Sequence, residues 1–84
     1  MYNIVVFDTE TTGTECETDR LVELAGVSLD GITDFTTLVN PEREIPAEAK
    51  AIHHILEHEV MGAPLEPEAV QHFLNRFFVD KPGN

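Results

Sequence analysis

With 84 residues the chain is one small domain that buries only roughly 60 to 65 % of its unfolded surface, so modest stability is expected. Hydrophobic content of 42 % and five Phe exclude a disordered polymer, while 16 acidic against 5 basic side chains, a net charge of -11, exclude a nucleic-acid surface of the ordinary basic kind. From these numbers a polyanion is expected to be met through bridging metal ions or by another chain.

The single cysteine, Cys16, rules out an internal disulfide and fits a reducing cytoplasm, which is the expected location. No basic segment precedes the first apolar run. Nothing approaches the roughly 18 apolar residues of a membrane span, so neither a signal peptide nor a span is expected.

Residues 3–8 read as a buried strand, because Ile4, Val5, Val6 and Phe7 are β-branched or aromatic and apolar on both faces, the mark of a central strand. Asp8 and Glu10 follow. A side-chain period of two puts them on one face where the strand passes into a loop, and two hard oxygen donors there suit Mg²⁺ or Mn²⁺. Residues 11–20 are polar and read as a loop in which Gly13 is free to take a positive φ. Residues 21–29 form a second strand, and Asp30-Gly31 is a two-residue hairpin turn into a third over residues 32–39.

Asn40-Pro41 ends the sheet, since proline donates nothing to a ladder. Pro46 opens a short helix through His53, and Gly62-Ala63-Pro64 breaks the chain before a second helix beginning at Pro67. In that helix Ala69, Val70, Phe73, Leu74, Phe77 and Phe78 follow the i, i+3, i+4 pattern of a covered stripe, expected to lie across the sheet. Residues 81–84 are expected to fray. There is no internal repeat or linker.

Four segments in this order carry a resemblance: Phe7-Asp8-Thr9-Glu10-Thr11-Thr12-Gly13, Leu21-Val22-Glu23-Leu24-Ala25-Gly26-Val27, Leu38-Val39-Asn40-Pro41 and Ala51-Ile52-His53-His54-Ile55. Together they resemble the first half of the DEDDh, or DnaQ-like, 3′-5′ exonucleases. The resemblance implies an α/β, ribonuclease H-like exonuclease fold, here truncated to a three-stranded antiparallel sheet plus two helices. The whole of residues 1–84 would then be a single partial exonuclease domain with the first metal-binding motif only.

By the same resemblance Asp8 and Glu10 are catalytic metal ligands for Mg²⁺ or Mn²⁺ in a two-metal site. Thr11 and Thr12 grip the sugar of the terminal nucleotide, and Ile52 and His53 help to wall it. In-line phosphodiester cleavage uses two metals, which need several carboxylates. The family's two further aspartates, and its general-base histidine in a His-x4-Asp arrangement, have no counterpart: no histidine here has Asp five residues later. From residues alone, His53 reads instead as a helix-end side chain bonded to backbone.

His54-Ile55-Leu56-Glu57-His58 also fits the H-x-x-E-H pattern of zinc peptidases, with chance composition in a His- and Glu-rich segment as the competing explanation. Glu23 reads as a structural carboxylate accepting hydrogen bonds near the site. In the family fold a parallel strand flanks the first strand, so the strand of residues 3–8 is expected to present an open apolar edge. Self-association or a second protein chain is expected there, alongside a single-stranded DNA or RNA 3′ end as substrate. Two functions follow: a member or fragment of the metal-dependent exonucleases, inactive alone, or a non-catalytic binding or regulatory module derived from one.

Overall fold

The computed structural model describes residues 4–15 and 18–78. Cys16 and residues 81–84 lie outside them. The elements are β1 (Val5–Thr11), β2 (Leu21–Ser28), β3 (Asp34–Leu38), α1 (Ala47–His53), α2 (Glu57–Val60) and α3 (Glu66–Phe77). The strands form one antiparallel sheet in the order β1-β2-β3.

β1 begins at Val5, later than the expected residue 3, which lies outside the described residues, and runs three residues beyond Asp8, so both carboxylates stand within the strand. It stands at the open edge that the resemblance implied, not at the centre of the sheet that its apolar run suggested. β2 takes that place, and β1 is an edge strand whose Val6 and Phe7 are 55 % and 64 % exposed. One face is partly covered, Val5 packing against the core cluster beneath α3 and Phe7 meeting Phe73, while Val6 on the other face is exposed. Leu29 N–H donates to Ile4 C=O, and hydrogen-bonded pairs alternate along an antiparallel ladder, so the main-chain groups of Val6, Asp8 and Glu10 turn toward β2. Those of Val5, Phe7 and Thr9 turn outward.

The hairpin between β2 and β3 is wider than a two-residue turn. Ser28 N–H donates to Thr33 C=O and Thr33 N–H to Ser28 Oγ, which leaves residues 29–32 as the loop. The cause is local side-chain bonding: Asp30 Oδ1 accepts from Ser28 Oγ at 2.6 Å and from Ile32 N at 2.9 Å, and these bonds hold the Asp30 carboxyl below its ordinary pKa.

α3 crosses the sheet as the stripe predicts, but only half the stripe is covered. Ala69, Phe73 and Phe77 are buried, whereas Val70, Leu74 and Phe78, one row round the helix, are 36 to 40 % exposed. With Leu24 and Val39 the buried three form one core cluster, and the Phe73 and Phe77 ring centroids lie 5.0 Å apart. Gly26 permits this approach. A Cβ there would sit 2.5 Å from Phe73 Cε2 and 3.1 Å from Phe77 Cε2, so any side chain lifts the helix off β2.

A second cluster, Val22, Ile45, Ala49, Ile55 and Val60, joins β2 to α1 and α2. The expected two helices are therefore three, because the one-turn α2 has no apolar period to announce it. Carboxylates place it instead. Glu57 accepts from Ile45 N at 2.9 Å and pairs with Lys50 Nζ at 2.6 Å, and Glu59 accepts from Leu56 N at 3.0 Å. Asn40 ties the next connection down, its N–H donating to Pro64 C=O, while Glu66 of α3 accepts from Leu21 N at the start of β2.

The Lys50 bond, followed by the Ile45 amide, lowers the Glu57 carboxyl from 4.5 to about 2. A depressed carboxylate contributes stability that is complete above its unfolded pKa and is lost as pH falls through its folded one. The Glu57 contribution is thus expected to fade between pH 4.5 and about 2. Glu57→Gln is expected to lower the melting temperature at neutral pH and to flatten its fall over that interval; parallel melting curves of variant and parent would contradict this.

Candidate active site

The strand period settles which face carries the acidic pair. Phe7 meets Phe73 of α3 with centroids 6.1 Å apart, and Asp8 and Glu10, on alternate positions, lie on the opposite face of the sheet. Asp8 is exposed, and its Oδ1 accepts from Thr9 N at 3.0 Å. Glu10 stands directly across the ladder from Glu23, two like charges on one face, an arrangement that costs stability unless a cation lies between them. Glu23 accepts no hydrogen bond from a described residue, so its expected role as a hydrogen-bonded structural carboxylate is replaced by this opposition. A bulge follows between Glu10 and Thr11, turning the strand end away from the ladder.

Beyond the bulge the chain folds back on itself. Thr12 is 1 % exposed. Its hydroxyl donates to Asp19 Oδ1 at 2.7 Å and accepts from Arg20 N at 3.0 Å, while Thr12 N donates to Arg20 C=O. Asp19 also accepts from Glu15 N and from the Arg43 guanidinium, at 2.9 Å and 3.2 Å. The Thr12 bond, then the Glu15 amide, hold the Asp19 carboxyl below its ordinary pKa, with Arg43 adding to the effect. Gly13 serves this knot by its size, not by a positive φ. A Cβ at Gly13 would lie 2.4 Å from Asp19 Oδ2. Sequence reading passed over Asp19, whose only signal was a carboxylate closing a polar loop.

His53 fastens the loop to α1. Its Nδ1 accepts from Ile55 N at 3.0 Å, so the ring proton is on Nε2, which donates to Thr11 C=O at 3.1 Å. The bonding of His53 to backbone expected from residues alone is present, and both ring nitrogens take part. Between residues 9–14 and the α1 side chains Glu48, Ala49, Ile52 and His53 lies a cavity of about 280 Å³. Thr11, Thr12, Ile52 and His53 all line it, with Ile52 78 % exposed at its mouth. Of the acidic pair only Glu10 reaches it. Glu48 was not singled out in the sequence.

No group of three or more His, Cys, Asp or Glu is arranged to hold a metal among the described residues. The zinc-peptidase pattern does not assemble. His54 caps α1 in the left-handed conformation, His58 lies on α2, and both Glu57 oxygens are engaged. Asp8 and Glu10 do have the chemistry of Mg²⁺ or Mn²⁺ ligands, being hard, uncommitted on at least one oxygen and placed where a cation relieves like-charge repulsion.

The family described as Exonuclease matches residues 5–80. The chain belongs to the DnaQ-like 3′-5′ exonuclease family. It is 40 % identical over 70 residues to the DNA polymerase III subunit epsilon of Treponema pallidum (strain Nichols), covering 80 % of this chain and 33 % of that one. With the same subunit of Aquifex aeolicus (strain VF5) it shares 37 % over 73 residues, 83 % of this chain and 36 % of the relative.

A solved structure of exonuclease X in complex with 5′ overhanging duplex DNA superposes with a TM-score of 0.72 at 29 % identity, covering 94 % of this chain and 55 % of that chain. The sheet and helices thus fit a partial ribonuclease H-like exonuclease fold. The chain spans about a third of the epsilon relatives and about half of exonuclease X. No helix among the described residues is long and apolar enough to cross a membrane.

Proposed function

We propose that residues 1–84 form a single partial domain of a metal-dependent 3′-5′ exonuclease, carrying the seat of the terminal nucleotide and half of the metal ligands. The supporting observation is the cavity where Glu10 meets Thr11, Thr12, Ile52 and His53. In this reading Asp8 and Glu10 hold Mg²⁺ or Mn²⁺, which when bound activates water and stabilises the leaving oxygen. Ile52 offers an apolar wall to the base. His53, through Thr11 C=O, keeps that wall against the strand end, and the Asp19 knot fixes the turn beneath. The substrate is the 3′ end of single-stranded DNA or RNA, and the setting is the cytoplasm.

Two carboxylates leave the first shell short, so hydrolysis draws its remaining ligands and base from elsewhere. The free edge of β1 is where a second polypeptide, or a second copy, joins. The test is a 5′-labelled single strand incubated with Mg²⁺ or Mn²⁺, with this chain alone and with the complementary part of exonuclease X added. Shortening one nucleotide at a time from the 3′ end in the mixture, abolished by EDTA, is expected. Metal-dependent binding without shortening in either case would leave a non-catalytic binding module and overturn the catalytic reading.

A further inference from the structure

At the far edge of the sheet, where α3 passes over β3, Phe35, His72, Asn75 and Arg76 enclose an open notch of about 290 Å³. Positions 72, 75 and 76 share one helix face by their i, i+3, i+4 spacing. Phe35 lies on the α3 face of its strand, its ring edge-on to Phe73 with centroids 6.1 Å apart, and so its neighbour Asp34 faces the other way. Gln71 Nε2 donates to Asn75 Oδ1 at 2.9 Å, occupying the amide oxygen and leaving the Asn75 NH₂ as the group to offer.

The charge of this notch departs from its surroundings. Glu10 and Glu48 line the cavity beside Thr11, and Glu15, Asp19 and Glu66 line its neighbour. The notch has no carboxylate. Arg43 and Lys50 are held in ion pairs, and Arg20 stands among the three carboxylates of that neighbouring cavity. Arg76 is in no ion pair with a described residue, so its notch offers a polyanion an uncompensated guanidinium on a chain of net charge -11. Through the ladder Phe35 aligns with Gly26 and Phe7, four residues short of Thr11. Strand rise and spacing put the notch roughly 16 Å from Thr11.

We propose that this notch is an accessory contact for single-stranded nucleic acid, one base stacking on Phe35 while Arg76, with the Asn75 amide and His72, binds the adjoining phosphodiester. The contact rests on the nucleic-acid reading above but uses neither the metal nor the cavity at Thr11. A base supplies a π-face for the ring whatever its identity, and a guanidinium beside it neutralises one phosphate.

The test keeps the two sites apart by working in EDTA, where the carboxylate site holds no metal. Binding of the full chain to a fluorescein-labelled oligothymidylate is followed by anisotropy across a salt series, for the parent, Arg76→Ala and Arg76→Lys. Arg76→Ala is expected to weaken binding by roughly three- to tenfold and to lower the slope of log K against log salt by about 1. Arg76→Lys is expected to keep most of the slope. Photocrosslinks from 5-iodouracil are expected at Phe35.

Unchanged binding by Arg76→Ala, crosslinks only at residues 9–14, or equal binding of a polyglutamate peptide would each overturn the proposal. Failure of the exonuclease assay with these results intact would overturn the catalytic reading alone.

Discussion

Asp8→Asn is expected to weaken divalent-metal binding at the strand end while leaving the fold as stable as before. Asparagine keeps the Oδ1 acceptor that receives Thr9 N–H at 3.0 Å, so the local backbone loses nothing. The side chain is exposed, and exposed substitutions away from special contacts stay within about 0.5 kcal/mol. What disappears is one anionic hard oxygen out of a pair, and a hard cation held by few carboxylates depends on the charge of each. Mn²⁺ titration followed by electron paramagnetic resonance is expected to show affinity reduced more than roughly tenfold, with an unchanged melting temperature. In an assembled nuclease, hydrolysis is expected to fall to background. Parent-like Mn²⁺ affinity in the variant would remove Asp8 from the metal site.

Phe77→Ala is expected to unfold the domain. Phe77 is 1 % exposed, belongs to the core cluster beneath α3 and packs against Phe73 and Phe78. Truncating a buried Phe costs about 3 to 5 kcal/mol. Below about 80 residues a single core rarely supplies more than about 3 to 5 kcal/mol in all, and with 84 residues this chain stands just above that range, so the loss takes most of the margin. Circular dichroism at 25 °C is expected to show a largely unfolded chain. Phe78→Ala, one position on and 37 % exposed, is expected to remain folded. If the two variants melt alike, α3 is not docked through the row Ala69, Phe73, Phe77.

The contrast between those two phenylalanines marks where the sequence was legible. An apolar period of 3.6 identifies a helix and its general face, so α3 was foreseeable from residues 69–78, but which row is buried depends on a sheet only three strands wide. The strands themselves were readable because β1 and β2 are largely apolar runs and proline closes β3, but the run in β1 pointed to the middle of the sheet, and its place at the edge followed only from the resemblance. The hairpin was misread at Asp30-Gly31 because the favoured dipeptide competes with the Ser28 and Asp30 side chains, which bond backbone over five residues.

At the site, Asp8, Glu10, Thr11, Thr12, Ile52 and His53 were legible as types in a known order. Their division of labour was not. That the Thr12 hydroxyl closes a loop onto Asp19, and that His53 grips the carbonyl of Thr11, are bonds between residues 7 and 42 positions apart, which no local pattern announces.

The outer side of β1 is also a ruler. Its outward main-chain groups fall at Val5, Phe7 and Thr9, but the last amide is already taken by Asp8, and beyond it the Thr11 carbonyl is taken by His53. A strand annealing to this side can advance only until it reaches those two occupied groups, roughly 13 to 20 Å from the start of β1. It is thereby denied a slip of one residue toward the cavity, a slip that would turn every side chain it carries to the wrong face. A ligand for the metal that arrives on such a strand would therefore be delivered at one height beside Asp8 and Glu10.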